Sequence, residues 1–190
     1  YVNLVLKKFK KKRYLSKNNN LISNLKIVNQ KLPNSQVLVM FRDPLQQSIS
    51  LLKQHLNFKL IQSKDSFILR YMDYLGHNEF GLNHKNLDLS SKFTNPDTLD
   101  YWLEKWIKFY ENILELAKKN ERLNLINYKI FCIDDDYQKL ISRKYKFDYF
   151  KPQLTYPKDL TSDSIDLDNF NESQEIYFNL EKKYLLNINN

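Results

Sequence analysis

The chain has 190 residues, of which 42% are hydrophobic and 14% aromatic, and this composition excludes a disordered chain and supports one domain with a core. No apolar run reaches the ~18 residues of a membrane-spanning helix. The single cysteine, Cys132, excludes an internal disulfide and favours a reducing, cytoplasmic location. Because the first residue is Tyr1 and no signal-peptide pattern follows it, we interpret the sequence as lacking an upstream segment.

The formal net charge of +8 is concentrated in one place. The run from Lys7 to Arg13 carries six positive charges within seven residues, so the rest of the chain is close to neutral. Such a run is either a solvated face or a contact for an anion, a membrane or a nucleic acid.

The first predicted elements are a helix, a strand and a second helix. Apolar residues at helical spacing predict the first helix, which ends at Pro33; they are Leu21, Leu25, Val28 and Leu32. The apolar run 36–41 predicts a buried strand. Asp43 is suited to cap the next helix and Pro44 to begin it. The apolar stripe of that helix is predicted to be Leu45, Ile49, Leu52 and Leu56.

The remaining pattern alternates helices with one more strand. In chain order it predicts a helix over 66–75, a loop over 76–96, a long amphipathic helix over 99–116, a strand over 123–128, a helix over 134–145, an irregular stretch over 151–171 and a closing helix over 174–186. Trp102 and Trp106, four residues apart on the long helix, are expected in the core. Helices that alternate with short apolar strands favour an α/β layered fold.

An arginine directly follows the first strand. In an open α/β sheet the carboxyl ends of the strands are where ligands bind, and the helix that starts there favours an anion. Arg42 could grip a phosphate with two hydrogen bonds, and Ser50, on the polar side of the helix beside Gln46 and Lys53, could donate to it. Alternatively, Arg42 pairs with Asp43 or another carboxylate and Ser50 is only solvated.

The same residues resemble a known family. Arg42-Asp43-Pro44, followed after eight residues by Ser50, resembles the element with which PAPS-dependent sulfotransferases hold the 3′-phosphate of their donor. Further segments are similar to those of bacterial and tyrosylprotein-type members, in the family's order: 15–19, 32–37, 71–84, 101–114 and 123–135. The resemblance covers about residues 14–145.

The resemblance implies a three-layer, parallel-sheet fold of the P-loop type, a single domain over residues 1–190 that is incomplete at its N-terminus. It implies transfer of a sulfuryl group from PAPS (3′-phosphoadenosine 5′-phosphosulfate) to a hydroxyl or amine, releasing PAP, without a metal. Arg42 and Ser50 would bind the donor, and Lys17 would stabilise its bridging oxygen as the catalytic lysine. Alternatively, Lys17 merely extends the basic run.

The sequence departs from the family's pattern at several places. The loop that binds the 5′-phosphosulfate has no counterpart and is expected upstream of residue 1, and with two glycines in total no glycine-rich phosphate loop lies within the chain. Lys129 replaces the Glu that usually follows the tyrosine at 128, and Asn18-Asn19 replace a proline. The late Arg-Lys-Gly phosphate motif is also absent.

The acceptor side is less defined. His77, Glu79 and His84 are candidates for contacts to the acceptor or for the general base that takes its proton. The acceptor is expected to be a small molecule, a carbohydrate or a peptide, and no nucleic acid is expected. His55 is interpreted as a capping or packing histidine. The alternatives are a non-catalytic module whose basic run contacts RNA or an anionic surface, and an inactive sulfotransferase relative.

Overall fold

A computed structural model describes residues 1–17, 25–86, 90–149, 151 and 165–188. The chain divides into two units, residues 1–36 and residues 37–190. Its architecture is mixed α/β, mostly helical with a small parallel sheet in the described residues. No described helix combines the length and apolar character needed to cross a membrane.

The first unit contains two short helices in its described part, α1 (Val2–Lys8) and α2 (Leu25–Lys31). Helix α2 confirms the second half of the predicted first helix, and its Leu25 is buried. The earlier predicted residues, from Leu21, lie outside the described residues. Helix α1 was not predicted from the sequence.

The sheet of the second unit joins two strands that are far apart in the chain. Strand β1 (Val37–Phe41) and strand β2 (Leu123–Asn127) run parallel, with Val37 opposite Leu123 and Phe41 opposite Asn127. Both strands confirm the predicted ones, each one residue shorter. Because they are parallel and in register, their carboxyl ends lie at the same edge of the sheet.

In the described part of the second unit, three helices lie between the two strands along the chain and three follow β2. They are α3 (Pro44–Lys64), α4 (Ser66–Tyr74), α5 (Leu99–Lys118), α6 (Tyr128–Ile133), α7 (Asp135–Tyr145) and α8 (Leu167–Ile188). Helices α4, α5 and α7 confirm their predictions. Helix α8 begins earlier than predicted, so the expected irregular stretch is wrong for residues 167–171, and residues 152–164 lie outside the described ones. Helix α6 replaces the last residue of the predicted strand, because Asn127 caps a helix there by accepting from the Ile130 N–H.

The core is centred on α5, which packs against α3 and α8. Trp102 and Trp106 are 5% and 2% exposed, which confirms their predicted place in the core. Tyr110 is buried as well, and its hydroxyl donates to the Met40 carbonyl at 2.9 Å, joining α5 to β1. Phe41 makes edge-on contacts with Tyr177 and Tyr184 of α8. Strand β1 therefore contacts both α5 and α8.

The predicted apolar stripe of α3 is only partly correct. Ile49 is buried, but Leu56 is 43% exposed. The buried positions of α3 are largely polar: Gln46, Ser48, His55 and Gln62. Two of these side chains, His55 and Gln62, accept hydrogen bonds from the backbone of the loop between α4 and α5, which accounts for their burial. Gln46 instead accepts from Arg42.

Two helices end at a lysine in the left-handed conformation. Lys10 (φ 52°) follows α1 and Lys146 (φ 54°) follows α7. At the second site the Phe147 N–H reaches back to the Ser142 carbonyl at 3.1 Å, and the Lys146 N–H reaches the Arg143 carbonyl. This is the Schellman arrangement, in which glycine is the usual residue.

Removing the β-carbon of residue 146 tests whether this residue has the left-handed conformation. We expect Lys146→Gly to be more stable than Lys146→Ala by about 1 kcal/mol, because both variants lose the lysine side chain and only alanine keeps the left-handed strain. Urea denaturation of the two variants measures the difference. Equal stability would contradict the assigned conformation of residue 146.

Candidate functional site

The predicted phosphate site lies at the carboxyl edge of the sheet. Arg42 follows the last residue of β1, and Tyr128 follows the last residue of β2. Because Phe41 and Asn127 are paired, Arg42 and Tyr128 leave the sheet side by side. The guanidinium carbon of Arg42 lies 5.8 Å from the centre of the Tyr128 ring. The contact has the geometry of a cation–π interaction.

The guanidinium of Arg42 is not neutralised within the described part of the chain. No carboxylate of the described residues forms an ion pair with it, and its Nε donates to Gln46 Oε1 at 3.4 Å. The Asp43 carboxylate instead caps α3, accepting from the Gln46 N–H at 2.9 Å, which confirms the predicted cap. The alternative in which Arg42 pairs with Asp43 is therefore not found. A half-buried positive charge without a carboxylate is a suitable ligand for an anion.

Gln46 connects the arginine to the predicted serine. Gln46 lies one turn before Ser50 on α3, whereas Arg42 precedes the N-cap Asp43 and is not part of the helix. Gln46 is 3% exposed, whereas Ser50 is exposed. That the Arg42 guanidinium and the Ser50 hydroxyl hold one phosphate stays a prediction.

Tyr128 is a residue to which sequence reasoning gave no role at this edge. A hydrogen bond with Cys132, one turn later, and burial raise the pKa of its hydroxyl, while the charge of Arg42 opposes this rise. The phenol is neutral at pH 7 and can act as a hydrogen-bond donor or acceptor. The position of Tyr128 directly after the second predicted strand could have indicated it, because the residue that follows β2 lies beside the residue that follows a parallel β1.

A second polar cluster holds the loop between α4 and α5 against α3. At its centre is His55, which is 1% exposed. Its Nδ1 accepts from the Gly81 N–H at 3.2 Å, so the ring proton is on Nε2, which donates to Asp97 Oδ1 at 3.2 Å. Lys59 pairs with the other oxygen of Asp97. The packing role predicted for His55 is consistent with this, but its two loop partners were not foreseen.

His84, a predicted acceptor contact, belongs to the same cluster. Its Nδ1 donates to the Glu79 carbonyl at 2.8 Å, and its Nε2 accepts from the Tyr101 hydroxyl at 2.6 Å. Its ring lies 5.3 Å from that of His55, measured between centres. Both nitrogens are thus engaged within the protein, and a role as general base would require the Tyr101 contact to break.

His84 also borders a surface cavity. The cavity has a volume of about 430 Å³ and is lined by Asp73, Asn78, Asn83, His84 and Lys85. The buried Oδ1 of Asn78 has no hydrogen-bond partner among the described residues. The cavity is polar on several sides and could accept a small polar group, so the predicted acceptor role of His84 stays a prediction.

The remaining predicted side chains, those of His77, Glu79 and Lys17, lie outside this network, although the Glu79 backbone carbonyl accepts from His84. His77 and Glu79 face each other in a loose, partly exposed ion pair with 3.6 Å between Nδ1 and Oε2. Lys17 is exposed and belongs to the first unit. Among the described residues, no cluster of His, Cys, Asp or Glu has the geometry to hold a metal ion.

Comparison of the chain with protein-family models, with curated proteins and with solved structures finds no match.

The Gln62 side chain leaves no room for a side chain at Gly81. Gly81 has a φ of 91°, and a β-carbon added there would overlap the side-chain amide of Gln62. That amide accepts from the Leu82 N–H at 2.6 Å and cannot move away without losing this bond. Gly76 has a φ of 71° but open space around its α-carbon.

The two glycines allow a matched comparison. We expect Gly81→Ala to lower the free energy of unfolding by about 2–4 kcal/mol, because strain and overlap add together. Gly76→Ala should cost about 1–2 kcal/mol, from the left-handed conformation alone. Chemical denaturation of both variants tests the order, and an equal or smaller loss at Gly81 would contradict the packing of the loop on Gln62.

Burial gives the histidine cluster a dependence on pH. It is the main cause that lowers the pKa of both His55 and His84 below the ordinary 6.5; for His55 the nearby His84 adds to this and Asp97 opposes it. Between the lowered folded pKa and 6.5 the unfolded chain binds more protons than the folded one. The contribution of the two neutral histidines to the free energy of unfolding is therefore complete above pH 6.5. It is lost as the pH falls from 6.5 through the lowered folded pKa values.

The second unit should accordingly lose stability as the pH falls below 6.5 toward the lowered folded pKa values of the two histidines. We expect His84→Gln to flatten this dependence, measured as urea midpoints at several pH values. Asn57→Gln, at an exposed residue of α3 that does not titrate, is the control and should keep the wild-type slope. Identical slopes for His84→Gln and the wild type would show that the cluster does not titrate in this way.

Proposed function

We propose that this chain is a sulfotransferase that moves a sulfuryl group from PAPS to a hydroxyl or amine acceptor and releases PAP. The observation that carries the proposal is the guanidinium of Arg42, which lies at the carboxyl edge of the sheet with no carboxylate of the described residues against it. The resemblance of its flanking segments to PAPS-dependent sulfotransferases supplies the identity of the anion.

The donor's 3′-phosphate would be held by three groups. Arg42 has its terminal nitrogens available for two parallel bonds, Ser50 can donate from the exposed side of α3, and the neutral phenol of Tyr128 can add a third bond. Binding energy at this phosphate is remote from the sulfur and serves to position it.

The reaction itself is an in-line displacement at sulfur. The acceptor oxygen or nitrogen forms a bond to sulfur while the bond from sulfur to the bridging oxygen of PAPS breaks, and the acceptor's proton passes to a base. In this proposal Lys17 stabilises the charge on the bridging oxygen as PAP departs. His77, Glu79 and His84 contact the acceptor, for which a small molecule, a carbohydrate and a peptide are all compatible.

The proposal includes the finer features that the resemblance implies. These are a three-layer P-loop-type arrangement around a parallel sheet, a single domain over residues 1–190 and a cytoplasmic location. The small parallel sheet and its helices are compatible with the first of these.

Isothermal titration with PAP and with AMP, which lacks the 3′-phosphate, tests the site directly. We expect wild-type protein to bind PAP more tightly than AMP, and Arg42→Ala to lose about 2 kcal/mol or more of PAP binding, as for a truncated charge-assisted contact. AMP binding should hardly change in the same variant. Ser50→Ala should lower PAP affinity less, because it removes a neutral donor.

Arg70→Ala provides the matched control, since Arg70 is exposed on α4 and its Nε bonds only its own helix at Ser66. It should bind PAP like the wild type. Failure of folded wild-type protein to prefer PAP over AMP, or equal losses in Arg42→Ala and Arg70→Ala, would overturn the proposed 3′-phosphate site.

A further inference from the structure

The first unit contains no acidic residue. Residues 1–36 carry nine lysines and arginines and neither Asp nor Glu, whereas residues 37–190 hold 21 lysines and arginines against 22 carboxylates. The net charge of the protein therefore resides in the first unit. Because this unit contains no carboxylate, an anionic surface is the partner that would complement its charge.

The structure gathers most of these cations at one turn. Helix α1 ends in a Schellman motif: the Lys11 N–H reaches the Leu6 carbonyl at 3.0 Å and the Lys10 N–H reaches the Lys7 carbonyl at 3.3 Å. Lys10 takes the left-handed conformation that reverses the chain. The segment that follows this turn brings the Tyr14 ring against that of Tyr1, with 6.4 Å between ring centres. The side chains from Lys7 to Arg13 are all exposed around this hairpin.

Large apolar side chains are exposed among the cations. Leu4 is 72% exposed, Phe9 is 61% exposed and Leu15 is 88% exposed. Leu4 lies three and four residues before Lys7 and Lys8, so its side chain shares their side of α1. Lys8 lies over the Phe9 ring, with 5.6 Å between its Nζ and the ring centre. Apolar and cationic groups thus form one mixed surface, which we call the basic hairpin (residues 1–17).

We propose that the basic hairpin docks this protein onto an anionic lipid surface, with the cations against the headgroups and Leu4, Phe9 and Leu15 in the boundary of the acyl chains. Clusters of four to eight lysines and arginines are attracted to anionic leaflets, and long lysine side chains can keep their charge at the headgroups while apolar neighbours insert. A nucleic acid would satisfy the charges but offers no place for two exposed leucines, since leucine neither stacks on bases nor bonds phosphates.

The test uses the full chain with two kinds of vesicle. We expect binding to phosphatidylcholine vesicles that contain about 25% phosphatidylserine, at least about tenfold tighter than to phosphatidylcholine alone, in a sedimentation assay at moderate salt. A fluorescent oligouridylate at the same salt measures nucleic-acid binding.

Two sets of substitutions separate the contributions. The charge set is Lys7→Gln, Lys11→Gln and Lys12→Gln; the apolar set is Leu4→Ser, Phe9→Ser and Leu15→Ser. Each set should weaken vesicle binding about tenfold or more, because both charge and insertion are required. All six side chains are exposed, so folding, checked by circular dichroism, should be unchanged. Lys10 is kept because of its turn conformation.

Matched controls come from exposed residues of the second unit. The charge control is Lys118→Gln, Lys119→Gln and Lys182→Gln, and the apolar control is Leu60→Ser with Phe178→Ser. Both should bind vesicles like the wild type. Absence of vesicle binding, equal effects in the control sets, or oligouridylate binding that exceeds vesicle binding and ignores the apolar set would each overturn the proposal. PAP titration on the same preparations reports the second unit independently.

Discussion

A single buried imidazole joins α3 to the loop that leads into α5. His55 accepts from the Gly81 N–H and donates to Asp97, so it holds both the beginning and the end of the loop between α4 and α5. Thr98, the residue before α5, directly follows Asp97, and the position of α5 therefore depends on this bond. Helix α5 in turn holds β1 through the Tyr110 hydroxyl and the Met40 carbonyl. The strand that carries Arg42 to its position is thus linked back to His55 through the loop and α5.

The sequence was a good guide where a pattern is local. Helix α5 was predicted because its apolar residues recur at helical spacing, and the cap of α3 because Asp43-Pro44 has one common structural use. The buried side of α3 was missed for a physical reason. His55 and Gln62 are buried as partners of a loop 26 and 20 positions away, and no periodicity in α3 encodes that partner. The short helix α6 was missed because the apolar run of β2 continues into it, and only the capping bond of Asn127 separates the two.

The candidate site also contains features that a local sequence pattern predicts and features that depend on residues far apart in the chain. The position of Arg42 directly after β1 and before the cap of α3 could be predicted, because the strand end and the cap lie next to each other in the sequence. The phosphate-binding role of Arg42 and Ser50 stays a prediction. Tyr128 needed the additional knowledge that β1 and β2 are parallel neighbours. His84 was selected as an acceptor residue, but its environment could not be anticipated, since the Tyr101 hydroxyl reaches it from α5 and the Glu79 carbonyl from its own loop. A histidine in such a loop can hold the loop in place through hydrogen bonds as readily as it can take part in catalysis.

The lack of carboxylates in the first 36 residues has a thermodynamic consequence for that unit itself. Like charges repel one another most strongly when the chain is compact. Electrostatic repulsion between the cations of this unit therefore opposes its folding. Salt weakens that repulsion over a Debye length of about 8 Å at physiological ionic strength, and a bound polyanion removes it locally. Any anionic surface that contacts the hairpin thereby also shifts the folding equilibrium of the unit, so association and folding are linked.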